Sequence, residues 1–254
     1  MIPHVHIPFG RLGELAGTVR KHGLAVEVFI TAADMDSLAP GWLDAARDAL
    51  SVSPEISVHA PFMDLSPGAV DARVRAVTIG RFEKTVEMAG ALGAGCIVFH
   101  SGYEKWKYGL KPEIWLRQSL LTWNEILGQT RKAGIRVAVE NIFEDSPDNL
   151  VMLMKKIGSP DFGICFDTGH FNMFSKSKIG TWLDVLKDHI IELHIHDNDG
   201  SADQHRPIGE GSFPFGLLFD AMKGSRGIIH TIEAHNEQDA LLALKRLKEY
   251  LPGF

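Results

Sequence analysis

The sequence predicts an α/β protein with a single domain over residues 1–254, folded as a closed parallel (β/α)₈ barrel. Eight short apolar segments rich in β-branched residues alternate with longer segments of helical period. The chain length allows roughly 32 residues for each strand-helix unit, which is typical of such a barrel. A doubly wound sheet is the alternative, but the chain contains neither a G-x-G-x-x-G segment nor a Walker sequence.

The predicted strands are short runs in which apolar and β-branched residues dominate. In chain order they comprise His4–Ile7, Ala25–Ile30, Ile56–His59, Cys96–His100, Arg136–Glu140, Phe162–Asp167, Ile190–His196 and Ile228–Glu233. Eight parallel strands of this kind suffice to close a barrel.

Seven predicted helices account for most of the intervening sequence. They comprise Arg11–His22, Val70–Leu92, Pro112–Lys132, Pro147–Ile157, Ile179–Asp188, Phe215–Lys223 and Glu237–Tyr250. Gly23, Gly93 and Gly134 follow three of them as C-terminal stops. The stretch Thr31–Pro54 is predicted to hold one or two further helices.

The composition is that of an ordinary globular protein, with 45% hydrophobic and 23% charged residues. A net charge of −6 argues against broad affinity for nucleic acid. The N-terminus has no basic n-region, and no stretch approaches the roughly 18 apolar residues that a membrane span needs. We therefore expect neither a signal peptide nor a membrane partner. Cys96 and Cys165 lie in apolar runs and should be buried free thiols, which fits a reducing, cytoplasmic location.

Six successive predicted strands, the third to the eighth, end in histidine, glutamate or aspartate. The residues at these ends are His59, His100, Glu140, Asp167, His194 with His196, and Glu233. In a barrel these ends lie on one face, where active sites are found. Because buried charges must be paired or bind metal, this pattern indicates a divalent cation, and the sequence does not choose among Mn, Zn, Co, Fe and Mg.

Two local motifs extend this set. Asp167-Thr168-Gly169-His170 places a carboxylate and an imidazole three residues apart across a tight turn. In the loop after the seventh strand, His205 follows Asp203 by two residues. Arg206 in the same loop either reaches a substrate hydroxyl or phosphate or lies on a solvated loop.

In these motifs the chain resembles the xylose isomerase-like barrel superfamily, which includes sugar isomerases, sugar epimerases and endonuclease IV. The resemblance extends over nearly the whole chain, and the order of the motifs is more specific than any one of them. The motifs are Val58-His59-Ala60-Pro61, Phe99-His100-Ser101-Gly102, Val139-Glu140-Asn141, Phe166-Asp167-Thr168-Gly169-His170, His194-Ile195-His196-Asp197, Asp203-Gln204-His205 and Ile232-Glu233-Ala234.

The resemblance to the keto-sugar epimerases implies one divalent metal ion held by Glu140, Asp167, His194 and Glu233. Glu140 and Glu233 would also form the catalytic acid/base pair, and His170 and Arg206 would contact substrate oxygens. The implied activity is a metal-dependent isomerase or epimerase of a sugar or sugar phosphate. Such an enzyme removes a proton next to a carbonyl and proceeds through an enediolate that the metal stabilises.

The resemblance to endonuclease IV implies a different site, with three zinc ions and nine ligands. It adds His59, His100, His170, Asp203 and His205 to the four residues above, so one to three metal ions per chain are expected. An abasic-site endonuclease also needs a basic surface for the DNA backbone. The cluster Lys105-Trp106-Lys107-Tyr108 could stack a base, but we favour a lid over a small substrate, with Lys105 as a substrate contact.

Further alternatives are a metal-dependent dehydratase of a polyol-like substrate and a non-catalytic metal or sugar binder. His196 is expected to be a donor to a metal ligand or a substrate contact. His4 and His6 share one face of the first strand. We expect them to be packed barrel histidines, and the alternative is that they reach the barrel mouth. Glu27 lies inside an apolar run and is expected to face inward, paired with arginine or lysine. A homo-oligomer is possible, and nucleic acid is not the expected partner.

Overall fold

Eight parallel strands close into a barrel in which neighbours in the sequence are neighbours in the sheet. The structure, a computed structural model, describes residues 2–251, so Met1 and residues 252–254 of the predicted domain lie outside the described residues. The strands are β1 His4–Pro8, β2 Ala25–Phe29, β3 Ile56–His59, β4 Cys96–His100, β5 Arg136–Glu140, β6 Phe162–Asp167, β7 Ile190–Ile195 and β8 Ile229–Ile232. The predicted (β/α)₈ barrel, also called a TIM barrel, is confirmed.

Helices occupy the connections between the strands of the described chain. They are α1 Leu12–His22, α2 Ala32–Asp36, α3 Trp42–Leu50, α4 Ala72–Leu92, α5 Pro112–Ala133, α6 Asp148–Ile157, α7 Thr168–Phe174, α8 Ile179–Leu186, α9 Phe215–Ala221 and α10 Glu237–Tyr250. The predicted glycine stops at Gly23, Gly93 and Gly134 all have a positive φ. None of these helices combines the length and apolar character that crossing a bilayer requires.

The structure contains one helix, α7, that was not predicted from the sequence. The segment after Asp167, predicted as a tight turn, begins α7, because the Asp167 carboxylate accepts the His170 backbone N–H at 2.6 Å and caps the helix. The cap fixes the path of the chain at the point where Asp167 and His170 are needed together.

The pairing between β1 and β8 is shorter than the pairing between β1 and β2. Within the described residues, β1 pairs with β8 at His4–Thr231 and Val5–Ile232. On its other side, β1 pairs with β2 along its whole length, from His4 to Pro8. This seam closes the barrel.

The barrel interior is apolar along β4, β5 and β6, on the amino-terminal side of their last residues. Cys96, Val98, Ala138 and Cys165 pack together there, and we call this cluster the floor. Both cysteines are buried and free, as predicted. Because side chains two residues apart on a strand share a face, Ala138 and Cys165 lie directly beneath Glu140 and Asp167.

Candidate metal centre

The carboxyl ends of β5 to β8 bring together Glu140, Asp167, His194 and Glu233, which we call the rim. His194 Nδ1 lies 3.6 Å from Glu140 Oε2, 3.7 Å from Asp167 Oδ2 and 3.2 Å from Glu233 Oε1. This buried nitrogen has no hydrogen-bond partner within residues 2–251. Three carboxylates around an unpartnered imidazole nitrogen form a donor set that fits a divalent cation such as Mn²⁺ or Zn²⁺.

The charges of the rim stabilise one another. Burial raises the pKa of the Glu140 carboxyl, but the imidazoles of His194 and His170 beside it outweigh burial and hold that pKa well below its usual range. For His194, burial lowers the pKa, and the acidic groups around it, among them Glu27 and Glu233, raise it well above its usual value. The metal-free rim therefore keeps Glu140 ionised and retains a proton on His194.

Two further histidines flank Glu140 on the side of β3 and β4. His59 Nε2 lies 3.1 Å and His100 Nε2 3.4 Å from Glu140 Oε2. Burial lowers the pKa of His100 to about 3, so this imidazole is neutral and can offer a lone pair. His59, His100 and Glu140 thus form a second group of possible ligands beside the rim.

A third group lies where α7 meets the loop after β7. His170 Nε2 is 3.5 Å and His205 Nε2 3.1 Å from Asp203 Oδ2. Burial lowers the pKa of His205, but the Asp203 carboxylate outweighs it and raises the value to about 9. The nine side chains named in the two resemblances therefore lie in three adjoining groups. Whether one, two or three ions bind stays a prediction.

His196 lies behind the rim. Its Nε2 is 3.1 Å from Asp167 Oδ2 and its side chain is fully buried, which favours contact with a metal ligand over contact with substrate. The ring occupies space that only a glycine at position 169 leaves open, since a Cβ there would lie 2.0 Å from His196 Cε1. The glycine of the Asp167–His170 motif therefore serves packing.

Glu27 faces inward, as predicted, but its expected arginine or lysine partner is wrong. Its Oε1 lies 2.8 Å from His6 Nδ1, and its Oε2 lies 3.2 Å from His194 Nε2. By accepting from His194 Nε2, the carboxylate directs Nδ1 toward the rim, as outer carboxylates commonly do for metal-binding histidines. The imidazoles of His6 and His194 thus take the place of the arginine or lysine that the sequence led us to expect.

The two histidines of β1 have different surroundings. His4 is buried and its Nδ1 lies 3.0 Å from Ser57 Oγ, which confirms a packed barrel histidine. For His6 that prediction is wrong, because its half-buried side chain lies 3.2 Å from Glu233 Oε1 and lines the mouth of the barrel. His6 lies two residues nearer the carboxyl end of the strand, and this is the signal that could have identified it.

A cavity of about 770 Å³ opens above the rim. Its walls are largely apolar and aromatic, and include Phe29, Phe62, Met63, Leu65, Tyr103, Ile142, Phe143 and Phe174. Lys107 is the one lysine or arginine among the described lining residues, and its Nζ donates to Ser66 Oγ at 2.9 Å.

Besides His196, two of the predicted substrate contacts do not line this cavity. Lys105 forms an ion pair with Asp145, and its neighbour Lys107 lies at the wall instead. Arg206 binds the Asp199 carboxylate at 3.0 Å and the Glu210 carbonyl oxygen at 3.2 Å. The structure therefore leaves Arg206 within its own loop. His170, in contrast, lies at the wall, as expected of a substrate contact.

Comparison with known proteins gives two kinds of relative. The uncharacterized protein MJ1311 of Methanocaldococcus jannaschii is 34% identical over 226 residues, which cover 83% of this chain and 74% of that protein. A probable endonuclease 4 of Mycobacterium leprae is 25% identical over 198 residues, covering 72% of this chain and 75% of its own length.

Solved structures of similar proteins extend over nearly the whole chain. The TTHB071 protein from Thermus thermophilus, soaked with ZnCl₂, has a TM-score of 0.83 and 27% identity, covering 100% of this chain and 99% of that one. A D-tagatose 3-epimerase-like protein has a TM-score of 0.82 and 28% identity, covering 99% and 97%. The family described as the xylose isomerase-like TIM barrel matches residues 18–251, and this chain therefore belongs to it.

Proposed function

We propose that this protein is a divalent-metal-dependent epimerase or isomerase of a sugar or sugar phosphate. The observation that carries the proposal is the pair Glu140 and Glu233, which reach His194 Nδ1 from β5 and from the end of β8. Two carboxylates that approach one point from different strands can serve the two faces of a substrate carbon. The similarity to a D-tagatose 3-epimerase-like protein supports the same reaction class.

In this reaction one of the two glutamates removes the proton from the carbon next to the carbonyl. The electrons of the broken C–H bond pass into the carbonyl group and give an enediolate, and the other glutamate returns a proton to that carbon. The low pKa of Glu140 keeps this carboxylate ionised and able to accept a proton. Glu140, Asp167, His194 and Glu233 would hold a divalent cation, which polarises the substrate oxygens and stabilises the developing charge.

The walls of the cavity favour a small substrate over a nucleic acid. Binding the DNA backbone requires several lysine or arginine side chains, whereas the described lining offers Lys107 alone. Aromatic walls around a cavity of about 770 Å³ suit a sugar-sized molecule and exclude water from the reacting carbon. Lys107 is the residue that would bind the phosphate of a sugar phosphate.

A second candidate is an abasic-site endonuclease with a multinuclear zinc site. The specific observation that favours it is the presence of His59, His100, His170, Asp203 and His205 beside the rim, where they could complete two further metal positions. The relative described as a probable endonuclease 4 supports this alternative. A dehydratase of a polyol would use the same two glutamates but would release water.

The test is proton exchange. The protein, loaded separately with Mn²⁺, Co²⁺, Mg²⁺ or Zn²⁺, is incubated with a panel of ketoses and ketose phosphates in D₂O. NMR should detect the loss of a carbon-bound proton and the appearance of an epimer or isomer, and a dehydrated product would favour the dehydratase. An abasic-site duplex is assayed in parallel. Its efficient cleavage without exchange in any sugar would overturn the proposal, and elemental analysis would report the metal ions per chain.

A further inference from the structure

A second cavity, of about 300 Å³, lies between the barrel wall and the outer helices α1 and α10. Its lining is mainly aliphatic, with side chains from the outward faces of β1 and β8 and from both helices. Ile7, Leu15, Val19, Ile232, Leu241 and Leu244 are among the lining residues. We call this space the side cavity.

The side cavity adjoins the cavity above the rim. His6, Phe29, His205 and Glu233 line both spaces. One of these shared residues, Glu233, belongs to the proposed acid/base pair. A molecule whose reacting carbon lies beside Glu233 therefore has the side cavity next to it.

Three imidazole rings stack in a row where the two cavities adjoin, and the middle ring, His205, lines both cavities. The His205 ring stacks on His196 with a centroid separation of 4.0 Å and on His235 with a separation of 4.9 Å. The His205 backbone has a φ of 46°, a left-handed conformation that a residue with a side chain seldom adopts. Strain of this kind persists where the surroundings enforce it, commonly at ligand sites. The strained loop therefore holds His205 between the two cavities.

The chemistry of the side cavity excludes a phosphate or a second sugar ring. Arg11 is the one lysine or arginine among its described lining residues, and its guanidinium already binds Glu14 at 2.6 Å. At the outer edge, Thr18 Oγ1 donates to Glu237 Oε1 at 2.8 Å. The other polar lining residues lie toward or beyond the carboxyl ends of β1, β7 and β8, and they are His6, His205, Glu233, His235 and Asn236. The surface between the strands and the two helices is aliphatic and suits an uncharged apolar group.

We propose that the side cavity binds an apolar substituent of the substrate. The substrate class is then a keto sugar that carries an aryl or branched-alkyl group through an ether, ester or glycosidic link. The size agrees, because an apolar cavity of roughly 150 Å³ already holds a benzene ring. This inference rests on the proposed function for the position of the sugar.

The first experiment tests the cavity without any catalysis. Binding of 4-fluorobenzyl alcohol to the Zn²⁺-loaded protein is followed by ¹⁹F NMR. Ala240 lines the side cavity, so Ala240→Phe should fill it and abolish saturable binding. Ala49 on α3 is a matched control, because it is also a partly buried helical alanine packed against the core but lines neither cavity. The Ala49→Phe variant should bind the alcohol as the wild type does.

The second experiment tests the link to the sugar. The affinities of D-fructose, 1-O-benzyl-D-fructose and 6-O-benzyl-D-fructose are compared by calorimetry. At least one ether should bind roughly tenfold more tightly than D-fructose, because it buries an aromatic ring, and Ala240→Phe should remove that advantage.

Two results would overturn the inference. One is that the alcohol fails to bind or binds equally to Ala240→Phe, and the other is that neither ether binds more tightly than D-fructose. Failure of the proposed function has a different signature. It would be the absence of proton exchange in every sugar, including both ethers, while the ether advantage and its loss in Ala240→Phe persist.

Discussion

The rim and the floor occupy the same strands of the barrel but differ in what they contribute. Glu140 and Asp167 lie at the carboxyl ends of β5 and β6, and Ala138 and Cys165 lie two residues earlier on the same inward face. The floor is uncharged and packs tightly, so it stabilises the fold. The rim buries carboxylates that must be compensated by neighbouring histidines or a cation. Substitutions in the rim should therefore affect chemistry, and substitutions in the floor should affect stability.

The largest expected effect is on the reaction rate when a glutamate of the rim is neutralised. Glu140→Gln and Glu233→Gln should each lower the proton-exchange rate by roughly 10³-fold, because a glutamine can neither accept nor return the proton. NMR in D₂O measures the exchange rate. Glu113→Gln, at an exposed glutamate in the first turn of α5, is the control, and full activity of either rim variant would remove the acid/base assignment.

The next effect is on metal affinity as a function of pH. The pKa values of His170 and His194 are raised well above the ordinary value, and that of His205 to about 9, so these imidazoles are protonated in the metal-free protein at neutral pH. A metal ion that binds them must displace protons. Affinity for Zn²⁺ should therefore rise from pH 6 to pH 9 by about tenfold per pH unit for each proton displaced, and the contribution of His205 should level off above about pH 9.

Calorimetry in two buffers of different ionisation enthalpy gives the number of protons released. An affinity that stays constant between pH 6 and pH 9 would mean that the metal does not bind through these imidazoles.

A smaller effect on metal affinity is expected at Glu27, which contacts the proposed metal ligand His194. Glu27 accepts from two imidazoles with two separate oxygens, whereas glutamine has only one accepting oxygen. Glu27→Gln should therefore reverse the orientation of one ring and weaken Zn²⁺ binding by about 10–100-fold.

Glu192→Gln is a matched control for Glu27→Gln. Glu192 is also fully buried, but its Oε1 accepts from Thr231 at 2.7 Å instead of a rim histidine. Burial raises the pKa of Glu192 to about 8, so at pH 7 glutamine replaces a neutral carboxyl. Titration with Co²⁺, followed by its visible absorption, separates the two variants. Equal affinities would assign Glu27 a purely structural role.

The smallest effect on function is expected in the floor. Val98→Ala removes two buried methyl groups beneath the rim and should lower the free energy of unfolding by about 2 kcal/mol. Metal affinity should be unchanged. Urea denaturation of the metal-free protein measures the first quantity, and calorimetry the second. A large loss of metal affinity in Val98→Ala would show that the floor positions the rim. It would contradict the expectation that floor substitutions affect only stability.

The barrel and the rim could be predicted from the sequence because both depend on local patterns. The third to the eighth predicted strands each end in a charged or imidazole side chain. Because a parallel barrel places all such ends on one face, Glu140, Asp167, His194 and Glu233 were predictable as neighbours. The sequence could not give the partners of Glu27. His6 lies beside it on the neighbouring strand β1, in a register that no local pattern fixes. His194 comes from β7, which only the closed sheet brings opposite β2.

Loop side chains were the least predictable. Lys105 and Lys107 lie two residues apart in a loop without strand or helix periodicity, so the sequence could not tell which one faces the cavity. The position of Arg206 depends on a bridge between Asp197 and Arg206, with backbone N···O distances of 2.7 and 2.8 Å. That bridge folds the loop back on itself, and no pattern in the sequence indicates it.

The short pairing between β1 and β8 affects how the barrel opens in solution. Local unfolding begins where few backbone hydrogen bonds must break, and this seam is such a place. Amide protons of these two strands should therefore exchange with solvent sooner than those of β5 and β6 at the opposite side of the wall. His6 and Glu233 lie at the carboxyl end of this seam. A cation or an apolar group that binds there would therefore slow the local unfolding of the barrel between β1 and β8.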